Sequence, residues 1–371
     1  MSVAEEALLT YPLGEQLPAP GEVLPVAPGV RWLRMRLPFA LDHINLWLLR
    51  DRSDDGQEGW AIVDCGIADD RTRAAWAQVF AHGLEGLPVL RVLVTHMHPD
   101  HLGLGDWLCE RWQQPGRDCR LWMSATDWHA ALLARHHPVG FGGAAAARFF
   151  AQHGLQDEAA LQQVRGRADD YARLVPSVPL QFRRLMDGMV LRIGAQDWHC
   201  IAGHGHAPEH MALSCPALGV LISGDMVLPR ISTNVSVIAG EPEADPLTLY
   251  LGSLARYLPL AEDTLVLPSH GRPFRGLHER IRQLQQHHDE RFADVLAACA
   301  QAPRSAADLL PVLFRRTLDA HQVPFAMGEA IAHLHALWGR GQLLRRIDDD
   351  GVWRFQLAPQ AVAATQADTV A

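Results

Sequence analysis

Arg91-Val-Leu-Val-Thr-His-Met-His-Pro-Asp-His-Leu-Gly103 packs three histidines and an aspartate into six residues directly behind an apolar run. Val92, Leu93 and Val94 read as a buried parallel strand. Residues on the loop at the carboxyl end of such a strand face the crevice where open α/β folds bind ligands. His96 and His98 alternate along one extended segment, so both imidazoles can address one cation. Pro99 redirects the chain, leaving Asp100 and His101 free to aim at a second cation nearby. A lone His-x-His is a weak signal. His-x-His-x-Asp-His behind a buried strand reads as a metal site.

Four such residues do not complete two zinc shells, so further ligands are sought at other strand ends. Cys200-Ile-Ala-Gly-His-Gly-His-Ala-Pro-Glu-His-Met-Ala-Leu213 follows a short strand and carries three histidines in a glycine-rich turn. Leu218-Gly-Val-Leu-Ile-Ser-Gly-Asp225 is an apolar strand ending in a carboxylate, and Leu265-Val-Leu-Pro-Ser-His-Gly-Arg-Pro273 repeats that layout with His270 at its tip. Upstream, Trp60-Ala-Ile-Val-Asp-Cys-Gly66 ends in Asp64. Five apolar strands thus finish in a residue type that binds or orients metal.

With these motifs in this order, the chain resembles the metallo-β-lactamase superfamily over roughly residues 20–280. The resemblance implies an α/β fold, the αββα sandwich of metal-dependent hydrolases. It makes His96, His98 and His206 ligands of a first metal and Asp100, His101 and His270 ligands of a second, with Asp225 bridging them. Asp100 and Asp225 become the catalytic carboxylates. Asp64 is then an outer residue that orients a ligand histidine, a role whose loss typically costs 10- to 100-fold in affinity or activity. Gly205-His-Ala-Pro-Glu-His210 is similar to the Gly-His-x-x-x-His turn of glyoxalase II and of the lactamase-like endoribonucleases, in which the first histidine is the ligand. That leaves His204 as a turn residue and His210 as a hydrogen-bonding neighbour of the ligands.

The 371 residues, 48% of them hydrophobic, suffice for one large domain and a smaller one. Residues 1–280 read as the catalytic domain, with an insertion at about 126–184, and residues 281–358 as a second domain before a flexible tail at 359–371. The segment Met1 to Pro18 has no basic residue, and no long apolar run appears. A cytoplasmic protein without a membrane partner is therefore expected. Six cysteines without a Cys-x-x-Cys pair read as buried thiols. All 33 basic residues are arginine, and the net charge of −9 argues against a nucleic-acid partner.

Val30 to Pro38, Ile44 to Arg50 and Trp60 to Asp64 read as antiparallel strands, and Arg71 to His82 as an amphipathic helix. The insertion carries helical stretches at Asp127 to His136, Ala144 to His153 and Glu158 to Leu174. Its place between motifs suggests a cap over the site, hinged at Pro138 to Gly143. His129, His136, His137 and His153 read as surface residues. Beyond His270 come a long helix, Leu277 to Gln301, then Ala306 to Thr317 capped by Ser305, Gly328 to Trp338, and a hairpin of Leu343 to Ile347 with Val352 to Leu357. Three helices and a hairpin make a winged-helix layout, similar to the small domain appended to lactamase-like endoribonucleases.

The function implied is a binuclear hydrolase using a bridging hydroxide on a small ester or thioester, with zinc as first choice, iron or manganese also admitted, and no organic cofactor. Arg230 and Asn234, in the loop after Asp225, are candidate substrate contacts. Three alternatives stay open: an endoribonuclease or phosphodiesterase, a mononuclear iron persulfide dioxygenase, and a non-catalytic winged-helix binding module. A homodimer through the carboxyl-terminal domain is possible.

Overall fold

A computed structural model describes residues 6, 8–39, 41–116, 118–137, 140, 142–314, 317–319 and 322–359. Half of the expected hinge at 138–143, and the tail beyond 359, lie outside them. The chain forms two compact units, one of Met1–His136, Tyr171–Thr233 and Ser253–Arg282, the other of His137–Asp170, Asn234–Gly252 and Gln283–Ala371.

The first unit is built on two sheets. One has seven strands in chain order: β1 (Leu24–Ala27), β2 (Val30–Arg36), β3 (His43–Arg52), β4 (Glu58–Val63), β5 (Val89–Leu93), β6 (Arg120–Ser124) and β7 (Phe182–Leu185). Strands β1 to β4 pair antiparallel and β4 to β7 parallel. The other sheet has β8 (Val190–Ile193), β9 (Gln196–Gly203), β10 (His210–Cys215), β11 (Val220–Gly224) and β12 (Leu265–Pro268), with only β11 and β12 parallel.

The period of two along the strands explains the layering. Trp47 and Leu49 of β3, with Ala61 and Val63 of β4, pack against Trp198, Leu213 and Ile222 of the second sheet. Leu46 and Leu48, with Ile62, point the opposite way. They enter a core shared with Trp76 of α1 (Asp70–Gln78), Leu102 of α2 (Pro99–Leu102) and Leu108 of α3 (Gly105–Trp112). Both faces of the first sheet are therefore buried, which is why β3 reads as an almost unbroken apolar run. The helix expected at 71–82 is α1, capped by the Asp69 side chain on Thr72 N–H, and it ends in a wider π turn at Val79–Gly83.

In the second unit, α5 (Gly143–Gln152) and α6 (Glu158–Gly166) pack together. The stretch expected as one helix to Leu174 breaks after Gly166, where glycine loses most conformational entropy in a helix, and resumes as α7 (Asp170–Leu174). The insertion is thus shared between units. Its ends, including α4 (Ala125–His136), belong to the first, while 137–170 joins the carboxyl-terminal region, where Ala307 N–H donates to His153 O at 3.1 Å. After α8 (Pro246–Ala255) comes α9 (Leu277–Gln301), then α10 (Ala306–Leu313), whose N-terminus is held by a reciprocal Ser305–Asp308 capping box. α11 (Val323–Gly339) and the hairpin of β13 (Leu343–Ile347) with β14 (Trp353–Leu357) complete the unit. No helix among the described residues is long and apolar enough to cross a membrane.

Candidate metal centre

Every carboxylate and imidazole of the site stands at or just beyond a strand end, where the backbone leaves the sheet and its side chains are released from the pleat. Beyond β5, His96 and His98 are followed by the single helical turn of α2, with Pro99 at its first position. That turn presents Asp100 and His101. The β9–β10 turn supplies His206, the end of β11 supplies Asp225, and the end of β12 supplies His270.

These residues converge as two triads. His96 Nε2, His98 Nδ1 and His206 Nε2 lie 2.9, 3.1 and 3.2 Å apart. Zinc–imidazole bonds of about 2.0–2.1 Å require a tetrahedral edge of about 3.3 Å, so one ion fits on that face. In the second group, Asp100 Oδ2 lies 3.4 Å from His270 Nε2 and 3.6 Å from His101 Nε2. Asp225 joins the groups, with Oδ2 at 3.3 Å from His206 Nε2 and Oδ1 at 3.4 and 3.6 Å from the Nε2 atoms of His270 and His101. His101 Nε2 and Asp225 Oδ1 are buried without a hydrogen-bond partner. Orphaned acceptors of this kind cost free energy unless something outside the protein satisfies them. The residues therefore fit a pair of cations.

A family model described as the metallo-β-lactamase superfamily matches residues 40–270, and one described as a metallo-β-lactamase-like C-terminal domain matches residues 292–358. The chain belongs to the metallo-β-lactamase superfamily. Among solved structures, it is similar to a β-lactamase domain protein from Burkholderia ambifaria, with 56% identity, a TM-score of 0.90, and coverage of 96% of this chain and 100% of that one. A metallo-β-lactamase family protein from Thermus thermophilus shares 28% identity at a TM-score of 0.70, covering 89% and 99%. Among curated proteins, the probable metallo-hydrolase YqjP of Bacillus subtilis (strain 168) is 24% identical over 82% of this chain and 91% of its own length. The protein is a metallo-hydrolase of this superfamily.

The candidate ligands are oriented from behind by other residues of this metallo-β-lactamase superfamily chain. Asp64 accepts from Thr95 N–H at 2.8 Å and from Thr95 Oγ1 at 2.9 Å, and faces His101 Nδ1 at 2.8 Å. His101 therefore keeps its proton on Nδ1 and turns Nε2 to the site. Thr95 Oγ1 does the same for His96, 3.1 Å from Nδ1. His270 Nδ1 donates to His43 O at 2.7 Å, and His43 Nε2 accepts from Gly271 N–H at 2.8 Å. His210 Nε2 accepts from Asp225 N–H at 3.3 Å. Gly224 makes that approach possible, since a Cβ there would lie 2.1 Å from His210 Nε2. His204 lies in the turn, its Nδ1 donating to Pro208 O at 2.8 Å.

Electrostatics set the charge of each group in the site. Burial and the neighbouring imidazoles hold His96 and His98 well below the usual histidine range. Burial also opposes charge on His101, but Asp100, Asp64 and Asp225 outweigh it and hold its pKa well above normal. Burial alone would raise Asp225; His270 and His101 instead hold it well below the usual carboxylate range. Metal binds neutral imidazole and ionised carboxylate, so His96, His98 and Asp225 are already in the binding form, whereas His101 gives up a proton to a bound ion. A metal pair, when bound, supplies a water acidic enough to deprotonate near neutrality and polarises a substrate oxygen.

Two expectations from sequence fare differently. Arg230 is exposed and pairs with Glu6 at 3.3 Å. Asn234 belongs to the second unit, where it bonds Ser236 Oγ at 2.9 Å and the Glu329 side chain. His153 is not a surface residue. It is 2% exposed, and its Nδ1 donates to Phe149 O at 2.9 Å, because its position at the end of α5 turns it inward. Thr95, His43, Asp127 and Tyr171 were not anticipated from sequence. Asp127 had a signal, since Leu121-Trp-Met-Ser-Ala-Thr-Asp127 is one more apolar strand followed by a carboxylate at the same sheet edge.

Proposed function

We propose that the protein is a binuclear hydrolase of a small ester or thioester, with chemistry closest to that of glyoxalase II. The observation that carries this reading is Asp225, whose two oxygens address the two triads separately. A one-metal site would use only one of those two oxygens. Zinc is the first choice for an imidazole-rich set, with iron or manganese as alternatives. Asp100, with a side chain 19% exposed against 10% for Asp225, is the carboxylate that water and substrate meet first. It orients the attacking water and takes up its proton. Asp225, held ionised, keeps the ligand histidines of both triads in register.

Arg230 is the exposed cation of the loop behind Asp225 and is assigned to a substrate carboxylate or leaving group. Asn234, already bonded to Ser236 and Glu329, is the weaker candidate. The insertion at 126–184 is assigned to substrate selection. The winged-helix-like order of three helices and a hairpin is assigned to packing, within the chain or against a second copy, rather than to nucleic acid.

A linear primary-alkylsulfatase of Pseudomonas sp. (strain ATCC 19151) is 24% identical over 62% of this chain, which covers 42% of that enzyme, so sulfate esters belong in the test. Metal-loaded protein is assayed on thioesters, lactones, alkyl sulfates and phosphodiesters. Ester or thioester turnover that disappears in Asp225→Ala supports the reading. Turnover confined to phosphodiesters would replace it with a nuclease, and oxygen uptake on a persulfide with a dioxygenase.

A further inference from the structure

Asp127 is fully buried in the first unit, in the first turn of the helix that follows β6, and it is in neither ligand cluster. Its Oδ1 accepts from Met97 N–H at 2.8 Å and its Oδ2 from Glu209 N–H at 2.6 Å. Met97 is the residue between His96 and His98, and Glu209 lies in the turn between His206 and His210. One carboxylate therefore ties together the two loops that carry the first triad. Two of that triad's nitrogens come from the first loop and one from the second, so its span depends on the offset between loops. A direct backbone link between the same segments, Met211 N–H donating to Thr95 O at 2.7 Å, lies below the triad.

The opposite side of Met97 is held as well. Tyr171 O–H donates to Met97 O at 2.7 Å, so both backbone polar groups of the residue between the ligand histidines are gripped by side chains outside the motif. Asp127 and Tyr171 come from opposite parts of the insertion. A carboxylate buried at this depth costs free energy unless its oxygens are used. Here each oxygen takes one loop.

We propose that Asp127 is a positioning residue that sets the spacing of the His96–His98–His206 triad, with Tyr171 bracing Met97 from the other side. This rests on the metal-centre reading above. It predicts a selective effect, because His101 and His270 are oriented by Asp64 and the His43 carbonyl rather than by Asp127.

The test measures Zn2+ affinity by chelator competition in two backgrounds, His270→Ala to isolate the first triad and His206→Ala to isolate the second. Adding Asp127→Asn should weaken Zn2+ about 10- to 100-fold in the first background. It should change affinity less than about twofold in the second, while the Co2+ absorption spectrum of the first triad shifts. Equal losses in both backgrounds would mean a structural role only, and no loss in either would remove the role altogether. If Asp127→Asn does not fold, Tyr171→Phe decides. A selective loss of about 2- to 10-fold at the first triad supports the proposal, and unchanged affinity overturns it. If neither parent background binds Zn2+, the metal-centre reading itself fails, an outcome distinct from failure of the positioning role.

Discussion

Asp64 faces His101 Nδ1 at 2.8 Å from a backbone held at φ 65°, in the left-handed region that residues other than glycine seldom enter. Bonds from Thr95 N–H and Oγ1 to the same carboxylate stabilise that conformation. Asparagine tolerates this backbone region, so Asp64→Asn separates charge from strain. It should lower Zn2+ affinity at the Asp100–His101–His270 group about 10- to 100-fold with little change in melting temperature. Chelator competition beside a thermal melt reads both. Wild-type affinity would remove Asp64 from the site.

Asp225 and His204 are expected to differ sharply although both lie close to the histidine-rich turn. Asp225→Ala leaves both triads without their shared carboxylate and should abolish turnover. His204→Ala loses a hydrogen bond to Pro208 O within the turn and should keep at least about a tenth of the activity. Steady-state kinetics on the same substrate compare them. Equal inactivation, with His206→Ala still active, would shift the ligand assignment of that turn.

The second unit should be sensitive to acid. Burial holds His153 and His333 at about 4 and His288 at about 2. Unfolded, each would titrate near 6.5. Above that pH both states are neutral and nothing is lost. As pH falls from about 6.5 towards 4, the unfolded chain takes up protons that the folded one refuses. Each histidine then costs about 1.4 kcal/mol per pH unit across that window. Tryptophan-monitored denaturation at pH 7.5, 6 and 5 tests this, and a flat midpoint would contradict it.

Nucleic acid should bind poorly. The α11 helix, which would read a groove in a winged-helix protein, is buried from Ala330 to Leu337. Arg345 stacks over Trp338 and Trp353 and pairs with Glu243, while Arg354 is taken by Asp348 and Asp350. Among the described residues of α11 and the hairpin, few cations remain for phosphates. Fluorescence anisotropy with labelled single-stranded RNA and duplex DNA at two salt concentrations checks this. Sub-micromolar affinity that falls steeply with salt would revive the nuclease alternative.

The ligand cluster was legible because strand-end chemistry is local: His96, His98, Asp100 and His101 announce themselves within six residues. Their triads also needed His206, Asp225 and His270, each recognisable by the same strand-then-ligand layout. Asp127 and Tyr171 escaped because their role lies in reaching a backbone far away in sequence, which no local pattern records. His43 acts through its own carbonyl as much as through its ring, and a carbonyl has no residue type to read. Strands β2 to β5 were legible as apolar runs, because a sheet buried on both faces leaves few polar positions along them. The sharing of the 126–184 insertion between two units was not, since contact partners such as His153 and Ala307 leave no periodicity in either segment.

Metal content decides whether Asp225 joins a two-metal centre. Elemental analysis of purified protein, repeated after chelation and dialysis against Zn2+, should give two transition-metal ions per chain, falling towards one or none in Asp225→Ala. One iron per chain that resists replacement, accompanied by oxygen consumption on a persulfide, would contradict it.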